Sequence, residues 1–202
     1  MNHTIFMTGK LNKKIFVFGN NEYGQLGLGN HENQNKPVLL MQDESIQQII
    51  CGGHQSMILK KNGELLVFGH NEEGQLGLGN NERQNKPVVL MQDEGIKQIV
   101  CGGYHSMILK KNGELFVFGY NEYGQLGLGN NKDKNKPRKL MSNVTLLPVS
   151  TNINQELTPY EHKYFSVSFQ ERIYTFMLVL KRCKLEKIIP KFIRFEIIKK
   201  CI

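Results

Sequence analysis

Short segments in which apolar and polar side chains alternate follow one another through the first 141 residues of the chain. Residues 96–101 alternate in this way and end at Gly102-Gly103, and residues 106–110 form the next segment. The dipeptide Asn112-Gly113 separates that segment from a return segment at residues 114–118. A side-chain period of two is that of a β-strand, and Asn and Gly mark turns. The pattern therefore predicts short antiparallel strands joined by tight connections.

Asn112-Gly113 is expected to form a two-residue hairpin turn, because Asn and Gly both tolerate the positive φ that this turn requires at its two central positions. Asn62-Gly63 stands at the same place one unit earlier. The first unit has Asn12-Lys13 there and lacks the glycine. We therefore expect the first turn to be less well formed than the other two.

A long glycine-rich connection follows each return strand. In its last copy Gly124, Gly127 and Gly129 allow backbone conformations closed to other residues, and Leu126 and Leu128 are expected to anchor the loop from beneath. A phosphate-binding loop would need Gly-Lys-Ser/Thr at the start of a helix, and a dinucleotide site would need a strand, a loop and a helix in succession. The sequence has neither, so we interpret these glycines as structural.

A proline follows each glycine-rich connection. Pro37 and Pro87 are each expected to open a short strand, because proline at the first position of a strand removes no donor from the interior of the sheet. Each unit then supplies four short antiparallel strands in about 50 residues, which is the content of one propeller blade.

The units are copies of one another. Residues 21–30 return at residues 71–80 and again at residues 121–130. Residues 15–64 and 65–114 differ at twelve of 50 aligned positions. Such similarity predicts one shared structure, and it also indicates a recent duplication, so identity between copies is weak evidence of functional constraint. The predicted units are a partial N-terminal strand from residue 3, then residues 15–64, 65–114 and 115–141.

Two segments give the chain a family resemblance. Residues 69–79 read Gly-His-Asn-Glu-Glu-Gly-Gln-Leu-Gly-Leu-Gly, and residues 101–106 read Cys-Gly-Gly-Tyr-His-Ser. These segments resemble repeats of the RCC1 family, named for the regulator of chromosome condensation. Residues 51–56 are a degenerate copy of the second segment, in which Gln55 stands where the family pattern has His. The resemblance covers residues 3–141.

The resemblance implies a fold and a mode of action. Family members form β-propellers, typically of seven blades, and act through protein contacts; some are guanine-nucleotide exchange factors for a small GTPase, and others belong to ubiquitin-ligase or scaffold proteins. The expected fold class is therefore mainly β, a partial propeller of about three four-stranded blades followed by a short α-helical hairpin. The expected function is that of a non-catalytic protein-interaction module. The alternatives are a regulator of a small GTPase and a degenerate, truncated gene product without activity.

Three units are fewer than the four that a propeller usually needs to close. We therefore expect open sheet edges, self-association through them, and exposed apolar flanks such as Phe116 and Phe118. The exchange activity of the founding member needs a full propeller face, which leaves a small GTPase as a secondary candidate partner. A photoreceptor of the kind known in this family needs clustered Trp, and the chain has no Trp.

Nothing in the sequence indicates catalysis, a cofactor or a metal. No nucleophile, base and orienting acid recur together, and the four cysteines form no Cys-x-x-Cys pair. Cys51 and Cys101 occupy equivalent places in the repeat and are interpreted as small buried residues. His54 and His105 lie 51 residues apart in a 50-residue repeat, so we expect them to face differently.

The location expected for the chain is the cytoplasm or the nucleus, of a host cell if the source is viral. No apolar run approaches the roughly 18 residues of a membrane span. No compact apolar segment precedes a cleavage site near the N-terminus, so we expect neither secretion nor membrane insertion.

The charge belongs mostly to the C-terminal region. The chain carries a net +8, and residues 160–202 hold ten Lys or Arg against four Asp or Glu. We interpret these cations as the solvated face of helices, so nucleic acid is an unlikely partner. Residues 142–159 are polar and rich in turn formers, which is typical of a linker. Residues 160–202 change to helical spacing and are predicted to be a basic hairpin of two helices.

The second of these helices resembles the opening of an F-box, as found at the ends of repeat proteins of large DNA viruses. That resemblance implies docking to an Skp1-like adaptor of ubiquitin ligases. The candidate partner-binding residues are Pro190, Ile193, Ile197, Ile198 and Ile202. The alternative is an amphipathic helix that packs against its neighbour or against the last blade.

Overall fold

A computed structural model describes residues 3–9 and 12–144, and within them the chain is built of eleven β-strands. The strands are β1 His3–Thr8, β2 Lys14–Gly19, β3 Gln34–Gln42, β4 Ile46–Cys51, β5 Gln55–Lys60, β6 Glu64–Gly69, β7 Gln84–Gln92, β8 Ile96–Cys101, β9 His105–Lys110, β10 Leu115–Gly119 and β11 Lys134–Met141. The predicted helical hairpin and its candidate residues Pro190, Ile193, Ile197, Ile198 and Ile202 lie outside the described residues.

The eleven strands form three antiparallel sheets, as the alternation of side chains predicted. The first sheet has the order β1-β2-β3, the second β4-β5-β6-β7 and the third β8-β9-β10-β11. The first sheet therefore has three strands where the others have four. Strand β4 contacts β1 of the first sheet and β8 of the third, while β3, β7 and β11 are the opposite edges.

The sequence repeat and the sheets are out of phase. The 50-residue unit of residues 15–64 contains β2 and β3 of the first sheet together with β4 and β5 of the second. Each copy of the repeat thus connects two neighbouring sheets instead of forming one sheet by itself.

The turn at Asn62-Gly63 differs from the predicted two-residue hairpin. Only Gly63 has a positive φ, of 85°, and its N–H donates to the Lys60 carbonyl over 3.0 Å. This is a three-residue loop in which a tight turn is followed by one glycine in the left-handed region. Asn62 is needed for its side chain instead, because its Oδ1 accepts the Glu64 N–H at 3.1 Å. Residues 10–11 of the first turn lie outside the described part, so its predicted weakness remains a prediction.

The prolines do not open their strands. Pro37 is the fourth residue of β3, inside an irregularity where Val17 pairs with Val38 and Gly19 with Gln34. Strand β3 is an edge strand, and a bulge on an edge is where proline removes no paired N–H. Pro87 occupies the same place in β7.

Two apolar cores lie between neighbouring sheets. The core between the first and second sheets consists of Ile15, Val17, Leu26, Ile46, Ile58, Leu66 and Phe68. The core between the second and third sheets consists of Met57, Leu59, Leu65, Val67, Leu76, Ile96, Ile99, Cys101, Ile108 and Phe118. Successive residues of β6 enter opposite cores, so the second sheet is apolar on both faces.

The expectation that Phe118 forms an exposed flank is wrong. Its side chain is fully buried, because the glycine loop between β6 and β7 of the second sheet lies against its ring. A Cβ on Gly77 would stand 2.8 Å from Cε2 of Phe118. Phe116 is partly buried and packs against the same core. The large apolar side chains that are exposed in the described part are Leu39, Val89, Tyr104 and Tyr123.

Candidate functional site

The glycine-rich connections and the Gly-Gly turns lie at the same end of the sheets. In an antiparallel sheet every second connection returns to the same end. The connections β4–β5 and β6–β7 are therefore together, whereas the turn at Asn62-Gly63 lies at the opposite end. The same holds for β8–β9 and β10–β11 of the third sheet. We call the end that carries the glycine-rich connections the loop face.

A buried asparagine holds each glycine loop in one conformation. Asn71 is fully buried, its Oδ1 accepts the Leu76 N–H at 2.9 Å, and its Nδ2 donates to the Asn80 carbonyl at 3.1 Å. Asn21 and Asn121 make the equivalent bonds in the other loops. The predicted anchoring by leucine is confirmed, since Leu126 is buried and Leu128 partly so, as are Leu76 and Leu78 in the second loop. The loops are thus ordered without a ligand.

The first two loops are also fastened to the next sheet. The Ser56 hydroxyl of the second sheet donates to the Gln25 carbonyl of the first loop over 2.8 Å. Ser106 of the third sheet donates to Gln75 in the same way over 2.9 Å. A Cβ on Gly27 would stand 2.9 Å from the Phe68 ring, so only glycine permits this approach. The loop glycines are therefore explained by packing between sheets, in agreement with the structural interpretation.

Rings from neighbouring loops meet on the loop face and form a continuous row. We call this row the aromatic strip; it consists of Tyr23, His54, His70, Tyr104, Tyr120 and Tyr123. Two backbone bonds align it, because the His70 N–H donates to the His54 carbonyl and the Tyr120 N–H to the Tyr104 carbonyl, each over 2.9 Å.

The rings of the strip are in edge or tilted contact. The Tyr23 centroid lies 4.6 Å from that of His70 and 4.9 Å from that of His54. The Tyr104 centroid lies 5.8 Å from each of these two histidines and 6.4 Å from Tyr120. The row ends with Tyr123, 6.0 Å from Tyr120. These separations are those of favourable edge-to-face pairs.

The buried end of the strip carries a defined proton arrangement. Gln75 Nε2 lies 2.5 Å from Nδ1 of His70 and can only donate, so Nδ1 accepts and the proton of neutral His70 is on Nε2. Nε2 in turn lies 3.4 Å from the Glu72 carboxylate. Burial lowers the pKa of His70 below its usual value, although Glu72 opposes the shift. Burial lowers the pKa of His54 as well. Both rings therefore favour the neutral form.

An arginine covers the Tyr23 ring. The Arg83 guanidinium lies 4.7 Å from the centroid of that ring and forms an ion pair with Glu72. This arrangement is a cation–π contact whose cation is also paired with a carboxylate.

The other end of the strip is open to solvent. Tyr104 is 41% exposed and Tyr123 is 77% exposed. The Tyr120 hydroxyl donates to the Glu122 carboxylate, and this bond is the main cause that raises the pKa of Tyr120. Tyrosine is one of the residue types that contribute most to the binding energy of protein interfaces.

His54 and His105 face differently, as their spacing predicted. His54 belongs to the strip, whereas the His105 ring lies on the backbone of Gly102, where a Cβ would collide with the ring. This contact explains why glycine precedes the histidine in the Cys-Gly-Gly-Tyr-His segment. Burial lowers the pKa of His105 to about 4. Gln55 takes the same place in the second sheet.

The first sheet has a histidine at that place too, which the sequence analysis missed. His3 pairs with Gly19 as Gln55 pairs with Gly69 and His105 with Gly119. His3 lies 16 residues before its partner Gly19, whereas Gln55 and His105 lie 14 residues before Gly69 and Gly119, so His3 falls out of step with the 50-residue period. Its Nε2 lies 3.0 Å from the Ser56 hydroxyl, and its pKa is lowered to about 4, chiefly by burial.

The aromatic strip was also missed, although the sequence carries a signal for it. Four of the twelve positions at which residues 15–64 and 65–114 differ form the strip or its cover. In the first and second copies, respectively, these positions hold Asn20 and His70, Tyr23 and Glu73, Asn33 and Arg83, and His54 and Tyr104. The differences between copies, rather than their shared motif, indicate where the surface is specialised.

The cysteines and acidic residues of the described part form no comparable centre. Cys101 is buried and Cys51 partly buried, as small packing residues. Among residues 3–9 and 12–144 no group of three His, Cys, Asp or Glu side chains is placed to hold a metal ion. No helix in this part of the chain has the length and apolar character to span a membrane.

Models of a known repeat family match most of the chain. A model of the regulator of chromosome condensation (RCC1) repeat matches residues 13–59, 62–109 and 112–151. A second model of the same repeat matches residues 96–125. Among curated proteins, the X-linked retinitis pigmentosa GTPase regulator of the dog (Canis lupus familiaris) is 36% identical over 58 residues, which are 28% of this chain and 6% of that protein.

Solved structures of similar fold cover the repeats. Human WBSCR16 superposes with a TM-score of 0.59 at 27% identity, over 71% of this chain and 38% of that one. Prp20p of Saccharomyces cerevisiae, described with its binding to Gsp1p and histones, superposes with a TM-score of 0.62 at 24% identity, over 72% of this chain and 37% of that one. The chain thus spans little more than a third of the structures that it resembles.

Proposed function

The chain belongs to the regulator of chromosome condensation (RCC1) repeat family, and on that premise we propose that it is a non-catalytic protein-interaction module whose contact surface is the aromatic strip. The observation that carries the proposal is the continuous row of six rings across the loop face. Tyr and Arg are the residue types on which protein interfaces most often depend.

The strip is suited to binding because its support is rigid. The buried asparagines and the serine bonds between sheets fix the loops before any partner arrives. A preorganised surface loses little conformational entropy on association, so more of the contact energy appears as affinity. The lowered pKa values of His54 and His70 keep these two rings uncharged near neutral pH.

A direct binding measurement tests the use of the strip. Candidate partners, a small GTPase and an Skp1-like adaptor, are titrated against the full chain by calorimetry. The double variant Tyr104→Ser with Tyr123→Ser removes the two exposed rings of the strip, and we expect it to weaken a partner's binding by about tenfold or more.

A matched control uses the other exposed apolar side chains. Leu39 and Val89 are 47% and 54% exposed on edge strands β3 and β7. The variant Leu39→Ser with Val89→Ser should leave the affinity within about twofold. If this variant loses the partner and the tyrosine variant keeps it, the contact surface is the outer edge of the sheets and the proposal fails.

The second candidate function is regulation of a small GTPase. It is supported by two similar proteins, one named a GTPase regulator and one described with its binding to Gsp1p. The measurement is release of a fluorescent GDP analogue from the GTPase on addition of the full chain. Binding without faster release supports the interaction module alone, whereas accelerated release establishes exchange activity.

We further propose that the C-terminal region docks an Skp1-like adaptor. The support is the F-box-like pattern of residues 189–202 in the sequence. Replacing Ile197 and Ile198 with Asp would place charge in a desolvated contact, which costs several kcal/mol if the contact exists. Adaptor binding should then disappear while the circular dichroism of the repeats is unchanged. Adaptor binding that survives the substitution would overturn this part of the proposal.

Self-association through sheet edges is also proposed. Strand β1 is an edge of the first sheet, and edge strands present unpaired backbone groups to other chains. The edge strands β3, β7 and β11 each contain a proline, which opposes the addition of another strand. We therefore place the contact at β1. Sedimentation that shows a monomer at tens of micromolar would contradict self-association.

A further inference from the structure

We propose that Tyr123, together with Tyr120 and Glu122, forms a site for the arginine side chain of a basic segment in a protein partner. The inference rests on the proposed function, because it names the chemistry that one end of the aromatic strip recognises. It is argued from a contact that the chain makes with itself at the other end of the strip.

That internal contact is the arginine on Tyr23. The Arg83 guanidinium lies 4.7 Å from the ring centroid and is paired with the Glu72 carboxylate. Tyr23 belongs to the loop between β2 and β3 of the first sheet, and Arg83 belongs to the loop between β6 and β7 of the second. The loop face of this protein therefore binds a guanidinium by stacking it on a tyrosine beside a carboxylate.

The repeat shows that this pairing of positions is systematic. Fifty residues later Glu73 stands in place of Tyr23, and Asp133 stands in place of Arg83. These two side chains also meet, since burial and a hydrogen bond with Asp133 raise the pKa of Glu73. The ninth residue of one copy thus faces the nineteenth residue of the next.

Tyr123 is the next member of this series. It lies 100 residues after Tyr23, at the same place in the glycine loop. Within residues 3–9 and 12–144 no arginine stacks on it, and its side chain is 77% exposed. The same ring that holds Arg83 on the first loop is therefore presented to solvent on the third.

The surroundings of Tyr123 fit a guanidinium. The Tyr120 ring stands at 76° to the Tyr123 ring with centroids 6.0 Å apart, so the two rings form a corner. Glu122 carries a negative charge at this corner and accepts the Tyr120 hydroxyl. Arginine stacks on aromatic faces and pairs with a carboxylate through a planar fork, which the compact ammonium of lysine does less well.

The test uses the full chain and a fluorescein-labelled peptide of alternating glycine and arginine, with anisotropy as the readout. Matched peptides carry lysine or uncharged citrulline in place of arginine. We expect the arginine peptide to bind most tightly. The substitution Tyr123→Leu should weaken it about threefold to tenfold, while Tyr123→Phe, which keeps the ring, should stay within about twofold of the wild type.

Leu39→Ser is the control, because Leu39 is exposed on edge strand β3 outside the aromatic strip and should contribute nothing to peptide binding. Circular dichroism confirms that each variant is folded. The proposal is overturned if Tyr123→Leu binds the arginine peptide as the wild type does, or if the citrulline peptide binds equally well. If the arginine peptide does not bind, while the double variant Tyr104→Ser with Tyr123→Ser still abolishes binding of a partner protein, only the proposal of an arginine site is wrong. If that double variant keeps the partner, the proposed function falls with it.

Discussion

The base and the tip of each glycine loop follow different rules, although only a few residues separate them. At the base, Asn71 and Leu76 are fully buried and identical in all three copies. At the tip, His70 and Glu73 stand where the last copy has Tyr120 and Tyr123. Packing against the next sheet determines the base, because every atom there has a partner. The tip is less constrained, since Tyr123 is 77% exposed there, and at the tip the copies differ.

The largest expected effect is at the base. Leu76→Ala should lower the free energy of unfolding by about 4 kcal/mol, because it removes a fully buried side chain and leaves a cavity between the second and third sheets. Urea denaturation followed by circular dichroism measures this. His70→Asn, which copies the residue of the first loop, is the control at the tip and should cost about 1 kcal/mol or less. Equal losses in the two variants would contradict the comparison.

The second prediction concerns pH and sharpens the comparison, since His105 is buried and yet differs from its counterpart Gln55. Its pKa is about 4 in the folded chain and about 6.5 in the unfolded chain, so the unfolded chain binds more protons between these values. Its contribution is fully present above pH 6.5 and is lost as the pH falls towards 4, by about 3 kcal/mol.

His105→Gln tests this assignment, because Gln55 shows that glutamine fits the same backbone position. Unfolding free energies are measured at pH 7 and pH 5 for the wild type and the variant. The loss of stability between these values should be smaller in the variant. His3 contributes in the same direction and is left in place, so some dependence remains. An unchanged difference would show that His105 does not titrate as proposed.

The third prediction returns to the base of the loop. Asn71→Ala should destabilise the chain by about 2 kcal/mol, because the Leu76 N–H and the Asn80 carbonyl lose their partner. Amide hydrogen exchange should show faster exchange at Leu76 in particular. The surface variant Asn81→Ala is the control, and its exchange at Leu76 should match the wild type. Protection at Leu76 that survives in Asn71→Ala would mean that the asparagine does not hold the loop.

The smallest effect is expected at the tip. Arg83→Ala should cost about 0.5–1 kcal/mol, because a solvent-exposed cation–π contact and its ion pair are both weak. The cost should shrink in high salt, since screening weakens the ion pair. Arg83→Lys keeps the charge and should recover part of the loss. A loss of more than about 3 kcal/mol in the free energy of unfolding would make Arg83 as important for stability as the residues of the base, and would contradict the difference between base and tip.

The sequence predicts the features that arise from local pattern. Alternation predicted short antiparallel strands, the repeat predicted three similar sheets, and Leu126 was correctly expected to anchor its loop. These features depend on the period of the side chains and on the positions of glycine, and both can be read directly from the sequence.

Features that depend on a neighbouring sheet were missed. Phe118 was expected to be exposed, but the loop from the preceding sheet covers it. His3 lost its register with the repeat because of two additional residues in one hairpin. The aromatic strip brings together rings that lie up to 100 residues apart in the chain. No local pattern contains that distance information.

The phase difference between repeat and sheet bears on how such a chain changes its length over generations. A 50-residue copy carries half of one sheet, the loop that clamps the next, and the first half of that next sheet. Unequal recombination between copies therefore inserts or deletes a complete contact between two sheets. The serine, glycine and leucine of that contact are already complementary to each other. The array can thus become longer or shorter by whole 50-residue copies, and the residues at the loop tip of each new copy can then change without disturbing the contact between sheets.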